Sequence, residues 1–205
     1  MSEKRLSARA FVLYWVFDPR PVGALDRAIA LIERSDARLA IQVRAKGAGL
    51  EVHRDALDAL SRSAQQRGVG LFVNEHLELA VDGVGVHLTE RCPTVDAVRA
   101  RLGPDVAIGA SCHDAAGLQR RGDADFVVLG PVLPVAGKGE PLGWPAFAVL
   151  ASAARTPVFA LGGIGSSDHV VRARDAGAVG FAISRALESD SAPEIAAALL
   201  AAWSS

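Results

Sequence analysis

The chain has 205 residues, 50% hydrophobic and 22% charged, which suits one globular domain spanning residues 1–205. With 22 Lys and Arg against 23 Asp and Glu, its formal net charge is −1, so it lacks the basic stripe of a nucleic-acid binder or a polybasic membrane-surface protein. No apolar run approaches the roughly 20 residues of a membrane span, the opening MSEKRLSARA has no apolar signal core, and Cys92 and Cys112 alone make no disulfide framework or Cys-rich zinc site. The expectation is a soluble, reduced, cytoplasmic domain with neither nucleic acid nor membrane as partner.

Short apolar runs alternate with longer amphipathic ones along the whole chain. FVLYWVF from Phe11 reads as a strand, and ALDRAIALIERS from Ala24 as the helix after it. LAIQVR from Leu39 is the second strand, followed by a helix in VHRDALDALSRSAQQRG from Val52. LFVN from Leu71 and GVHL from Gly85 are strands, with a helix in TVDAVRARLG from Thr94. AIGAS from Ala107 is a strand, HDAAGLQRRG from His113 a helix, FVVLGPV from Phe126 a strand and WPAFAVLASAAR from Trp144 a helix. PVFALGG from Pro157, SDHVVRARDAG from Ser167, GFAIS from Gly180 and APEIAAALLAAW from Ala192 continue the alternation. Thr94 and Ser167 read as N-caps, and Gly68, Gly103 and Gly177 as helix ends.

Eight short strands rich in Val, Ile, Leu and Phe suit a buried parallel sheet. Closed on themselves, the eight units make a compact single-domain (β/α)8 TIM barrel, an α/β fold. An open doubly wound sheet is the alternative, but no G-x-G-x-x-G turn follows the first strand.

In such a barrel the chemistry sits at the carboxyl ends of the strands. Alternation in the second strand sends Ile41, Val43 and Ala45 to the helices, and Gln42, Arg44 and Lys46 toward the axis. Two cations in one mouth call for an anion, or for a carboxylate on a neighbouring strand. The third strand ends in Asn74 and Glu75, and the fourth at His87, with Glu90 and Cys92 in the loop beyond. On the fifth, Ser111 and His113 share a face, while Cys112 takes the other and packs as a small apolar residue. His87 alone reads more readily as a core histidine than as a catalyst. The Gly- and Pro-rich loop after the sixth strand carries Lys138 and suits a lid over a phosphate. Gly162 and Gly163 close the seventh strand and Ser184 and Arg185 the eighth, where barrels of this kind often hold a phosphate on backbone N–H groups.

Taken in order, LYWVFDP, IQVRAK, VNE, GVHL, GASCH, ADFVVLGPVLP, PVFALGGI and AGAVGFAISRAL resemble the thiamine phosphate synthases and their thiazole tautomerase (TenI-like) relatives. The resemblance implies a cytoplasmic transferase that joins hydroxymethylpyrimidine diphosphate to thiazole phosphate and releases pyrophosphate, with Mg²⁺ on the leaving group. By the same resemblance Arg44, Lys46 and Lys138 hold pyrophosphate, Asn74 binds substrate beside Gln42, and Ser111 stands by the pyrimidine. Gly163 and Ser184, with Gly162 and Ile183 next to them, match the thiazole-phosphate cradle, and Glu75 matches a metal ligand.

The departures are specific. Glu75 replaces an Asp, Cys92 stands where a second metal-binding Asp is expected, and Val135 and Gly137 replace two threonines. A thiolate is a poor ligand for hard Mg²⁺. The tautomerase His after the sixth strand is Pro131 here, so His113 or His87 would have to serve in its place. The alternatives to a synthase are therefore a tautomerase or a non-catalytic binder of thiazole or thiamine phosphate, and the resemblance implies a homodimer for any of them.

Overall fold

A computed structural model describes residues 11–205. Eight parallel strands, β1 (Leu13–Phe17), β2 (Leu39–Val43), β3 (Gly70–Asn74), β4 (Gly85–Leu88), β5 (Ile108–Cys112), β6 (Phe126–Leu129), β7 (Val158–Leu161) and β8 (Gly180–Ile183), close in sequence order into a barrel. Around them run α1 (Ala24–Glu33), α2 (Leu50–Arg67), α3 (Val95–Leu102), α4 (Ala115–Arg120), α5 (Gly143–Ala153), α6 (Ser167–Asp175) and α7 (Ala192–Ser204). Between β3 and β4 stands only a 3₁₀ turn, Leu77–Leu79, at the one place where the sequence offers no helical run between neighbouring strands.

The helix ends follow local chemistry. Thr94 caps α3, its hydroxyl accepting from the Ala97 amide, and Asp114 caps α4 through the Gly117 amide. The cap of α6 is Ser166, one residue before the expected Ser167, with the His169 amide as donor. Gly68 ends α2 at φ 69°, a left-handed turn that glycine adopts without a Cβ clash. Among the described residues no helix is long and apolar enough to cross a membrane.

Strand alternation divides the buried side chains into two cores. Ile41 and Val43, Val73, Val86 and Leu88, Cys112 and Ile183 face the helices and form the larger one. The barrel interior is a second cluster of Phe11, Tyr14, Ala40, Phe72, Ala107, Phe126, Val128, Phe159 and Ala182. Its floor is an interlock of aromatic rings and glycines on adjacent strands, pairing Phe72 with Gly85, Gly109 with Phe126 and Phe159 with Gly180. A Cβ at Gly85, Gly109 or Gly180 would fall 2.4, 2.4 and 2.3 Å from the ring opposite. The rings therefore occupy the volume that side chains at these positions would need.

This interlock yields a stability test. Gly109→Ala forces the Phe126 ring from its place and is expected to cost about 1–3 kcal/mol, the range of overpacked cores. Phe126→Leu in the same chain should return part of that loss in a urea-unfolding double-mutant cycle; strict additivity would refute the interlock.

Candidate active site

Two residues beyond the floor on each strand, the interior changes character. Strands β2 to β5 present Gln42, Asn74, His87 and Ser111, whereas β6, β7, β8 and β1 present Val128, Leu161, Ala182 and Val16. One half of the mouth is polar and the other apolar, the mixture typical of small-molecule sites. Gln42 Nε2 donates to Asn74 Oδ1 at 2.8 Å, and both side chains are buried. The Tyr14 hydroxyl lies 3.1 Å from His87 Nδ1, and His87 Nε2 lies 2.9 Å from Ser111 Oγ. Burial, with a smaller contribution from the Arg44 charge, pushes His87 down to about 3, so the imidazole is neutral. Burial likewise raises the Tyr14 phenol well above its ordinary value.

Arg44 follows the end of β2, half-buried, its amide bonded to the Phe17 carbonyl. Its charge reaches both His87 and Asp18. Asp18 is claimed by Arg20, whose guanidinium donates to both carboxylate oxygens and holds its carboxyl below the usual range. Lys46, which alternation turns toward the axis, lies beyond the last strand residue and is exposed, because β2 ends at Val43. Lys138 is exposed in the loop between β6 and α5. Among the described residues no carboxylate forms an ion pair with Arg44, Lys46 or Lys138, although Arg20, Arg34, Arg38, Arg54, Arg99 and Arg174 all have acidic partners.

Glu75 sits just past β3 with φ 66°, a left-handed conformation uncommon for a residue with a Cβ. Its amide bonds to the His87 carbonyl, and its carboxylate accepts from the Thr89 hydroxyl. Cys92 Sγ accepts from the Thr89 amide at 3.4 Å. Buried Arg121 grips the same loop, donating to the carbonyls of Thr89, Cys92 and Pro93. The position where a second carboxylate is expected is thus part of a closed turn. Glu90 points to Arg120, 3.8 Å away. Among the described residues no group of three or more His, Cys, Asp or Glu side chains could together hold a metal.

His113 is exposed, and its Nδ1 bonds to the Gly130 carbonyl, an acceptor only, so Nδ1 carries the proton and Nε2 is left as the base. Cys112 is packed in the outer core, where burial raises its thiol to about 12. Gly162 (φ 105°) and Gly163 (φ 72°) have a structural reason to be glycine: a Cβ would lie 2.6 Å from Pro131 and Leu133 respectively. The loop after β6 is laced to them, Val132 N to Leu161 O at 2.8 Å and Leu133 N to Gly162 O at 3.1 Å. Ser184 is half-buried at the end of β8, its carbonyl taking the Trp15 indole N–H. Ile183 turns its side chain outward into the helix-facing core, so only its backbone is on the rim. Tyr14, Asp18, Thr89 and Arg121 escaped the sequence reading, though parity within LYWVF places Tyr14 inside.

A closed eight-stranded parallel barrel whose polar side chains gather at one end of its strands belongs to the (β/α)8 barrels, which carry their active sites at that end. Residues 13–187 match the thiamine monophosphate synthase family, and the chain belongs to it. It is a thiamine-biosynthesis enzyme of the thiamine phosphate synthase type. Its relatives include a putative thiamine-phosphate synthase of Geobacter sulfurreducens, 35% identical over 93% of both chains. The thiamine-phosphate synthase of Halorhodospira halophila is also 35% identical over 93% of both chains. Thiamine phosphate pyrophosphorylase from Pyrococcus furiosus shares the fold, with a TM-score of 0.82 at 22% identity over 96% of this chain and 97% of that one.

The depressed His87 gives a pH prediction. Its pKa lies below the unfolded value near 6.5, so its share of stability is complete above that pH and drains away as pH falls toward 3. From about pH 6 down to 4 the loss is about 1.4 kcal/mol per pH unit. His53, also lowered by burial, adds in the same direction. Urea-unfolding free energies of His87→Gln should fall less steeply over this range by about that slope; equal slopes would show that His87 is not held neutral.

Proposed function

We propose that the protein joins a hydroxymethylpyrimidine diphosphate to a thiazole phosphate, giving thiamine phosphate and pyrophosphate. The observation that carries this reading is the set of cations that form no ion pair among the described residues, Arg44, Lys46 and Lys138, beside a mouth with one polar and one apolar half. Cations at a rim answer an anion, and a diphosphate brings enough charge for all three. The apolar half accepts a flat heterocycle while Gln42, Asn74 and Ser111 meet its polar edge.

The C–O bond between the pyrimidine methylene and the diphosphate breaks, its electron pair leaving with the pyrophosphate oxygen. The thiazole nitrogen then donates its lone pair to the methylene carbon. Such chemistry asks the protein for charge stabilisation on the leaving group more than for proton transfer. Arg44 and Lys46 supply it from the strand ends, and Lys138 from the loop after β6. The N-terminus of α6, with Gly163, Ile164 and Gly165 before its Ser166 cap, and the backbone at Ile183 and Ser184 suit the thiazole phosphate.

The oxygen donors at the end of β3 fit a magnesium ion held by a single protein carboxylate, because Mg²⁺ is commonly bound by one or two carboxylates together with substrate phosphates. Glu75 would hold it, and bound there it would neutralise charge on the leaving diphosphate; the Cys92 sulfur takes no part.

His113 favours a second reading. Its protonated Nδ1 is tied to the Gly130 carbonyl, leaving Nε2 as a base one residue from Pro131. That arrangement suits proton transfer on a thiazole phosphate tautomer, and His113→Ala should abolish such an activity while sparing the synthase.

The synthase test incubates both substrates with Mg²⁺ and follows thiamine phosphate and pyrophosphate together. Turnover is expected, with kcat lowered about 10²–10³-fold by Lys138→Ala, the usual effect of removing one group that stabilises developing charge. Absence of both products with and without metal would overturn the proposal.

A further inference from the structure

The hydrogen bonds that run from Tyr14 through His87 to Ser111 can point in only two directions, and the surroundings of Tyr14 decide between them. Tyr14 is fully buried among Phe11, Phe72 and Phe126, with ring centroids 5.7, 5.5 and 5.1 Å away, and its ring lies over His87 at 5.6 Å. His87 Nδ1 is the hydroxyl's one hydrogen-bond partner among the described residues. If Nδ1 carried the imidazole proton, it would donate to the phenol oxygen and strand the phenol's own hydrogen in an aromatic floor. An unmade hydrogen bond of that kind is expensive. The phenol therefore donates to Nδ1, the imidazole proton sits on Nε2, and Nε2–H donates to Ser111 Oγ. Ser111, half-buried, is left with its own hydrogen to give. A doubly protonated imidazole would likewise donate from Nδ1 and strand the phenol hydrogen, so a charged His87 does not fit the site.

We propose that Tyr14 and His87 are positioning residues that leave the Ser111 hydroxyl hydrogen free to be donated at the mouth, to a ligand atom with a lone pair such as the ring nitrogen of an aromatic heterocycle. With the bonds reversed, that hydrogen would be spent on His87 and Ser111 could only accept. The direction of the bonds follows from the barrel alone; the ligand class rests on the synthase reading above. Because Ser111 meets the heterocycle rather than the leaving diphosphate, the contact governs binding and orientation. Its loss shows in KM for the pyrimidine diphosphate more than in kcat.

Glutamine at position 87 can copy this polarity, its carbonyl accepting from Tyr14 and its amide donating to Ser111, whereas leucine can do neither. His87→Leu should raise KM for hydroxymethylpyrimidine diphosphate about tenfold, the worth of one ordinary hydrogen bond, and His87→Gln should recover most of that loss. Equal KM values in the two variants would overturn the proposal. Should His87→Leu fail to fold, the ¹⁵N signals of His87 in the wild-type protein still decide the direction. A protonated Nε2 and a bare Nδ1 are expected, shifting toward a mixture of tautomers in Tyr14→Phe; a protonated Nδ1 in the wild type overturns the proposal. The nitrogen signals need no substrate. If they appear as expected and the wild type does not bind the pyrimidine diphosphate, the ligand class falls with the synthase reading while the bond direction stands.

Discussion

The interlock of phenylalanines with glycines inside the barrel is the constraint on which everything above it depends. Three rings, Phe72, Phe126 and Phe159, fill the lower interior because their partners Gly85, Gly109 and Gly180 have no side chain to compete with them. With Phe11 and Tyr14 they make a dry, close-packed plug, and such interiors tolerate little change in volume. A plug at that depth leaves side chains two residues further along each strand facing the open end. Strand alternation then presents Gln42, Asn74, His87 and Ser111 on one half of the mouth without any special local geometry.

The polar half is ordered from beneath rather than from solvent. Gln42 and Asn74 hold each other, and His87 lies between the Tyr14 hydroxyl and Ser111. Held in this way, the groups need little rearrangement to meet a ligand, and preorganised polar groups lose less free energy on binding. The cations behave differently. Arg44 is half-buried near His87, while Lys46 and Lys138 extend from loops into water. The polar half of the mouth is thus held in place, whereas the cations rest on long side chains with no ion-pair partner among the described residues.

Much of this was legible in the sequence. The eight strands are visible because parallel strands buried on both faces read as uninterrupted apolar runs, and helices such as α1, α2 and α7 because each carries an apolar stripe. Parity along LAIQV placed Gln42 inside and Ile41 and Val43 outside, as found. The same parity along GFAIS separates Ile183 from Ser184, and there the resemblance to a family motif obscured it. Lys46 lies past Val43, where the strand stops, so alternation along the strand does not decide which way its side chain turns. Other features had no local signal at all. Arg121 reaches carbonyls 28 to 32 residues away, and the dependence of Gly162 on Pro131 is a contact between two loops. Sequence periodicity reports which face a residue takes, not which distant backbone will come to meet it.

The lacing between the sixth and seventh strand ends has a mechanical consequence. Val132 and Leu133 are tied to Leu161 and Gly162 on one side, while Leu142 and Gly143 return to the carbonyls of Pro131 and Val132 on the other. Both feet of the segment 134–141 are therefore planted on the same patch of barrel wall, and Lys138 rides at the crest of a short closed hoop. Four residues of chain from the nearer foot bound its excursion to about 14 Å. The ammonium group can swing in an arc about these feet, yet its tether keeps it from wandering to another part of the surface.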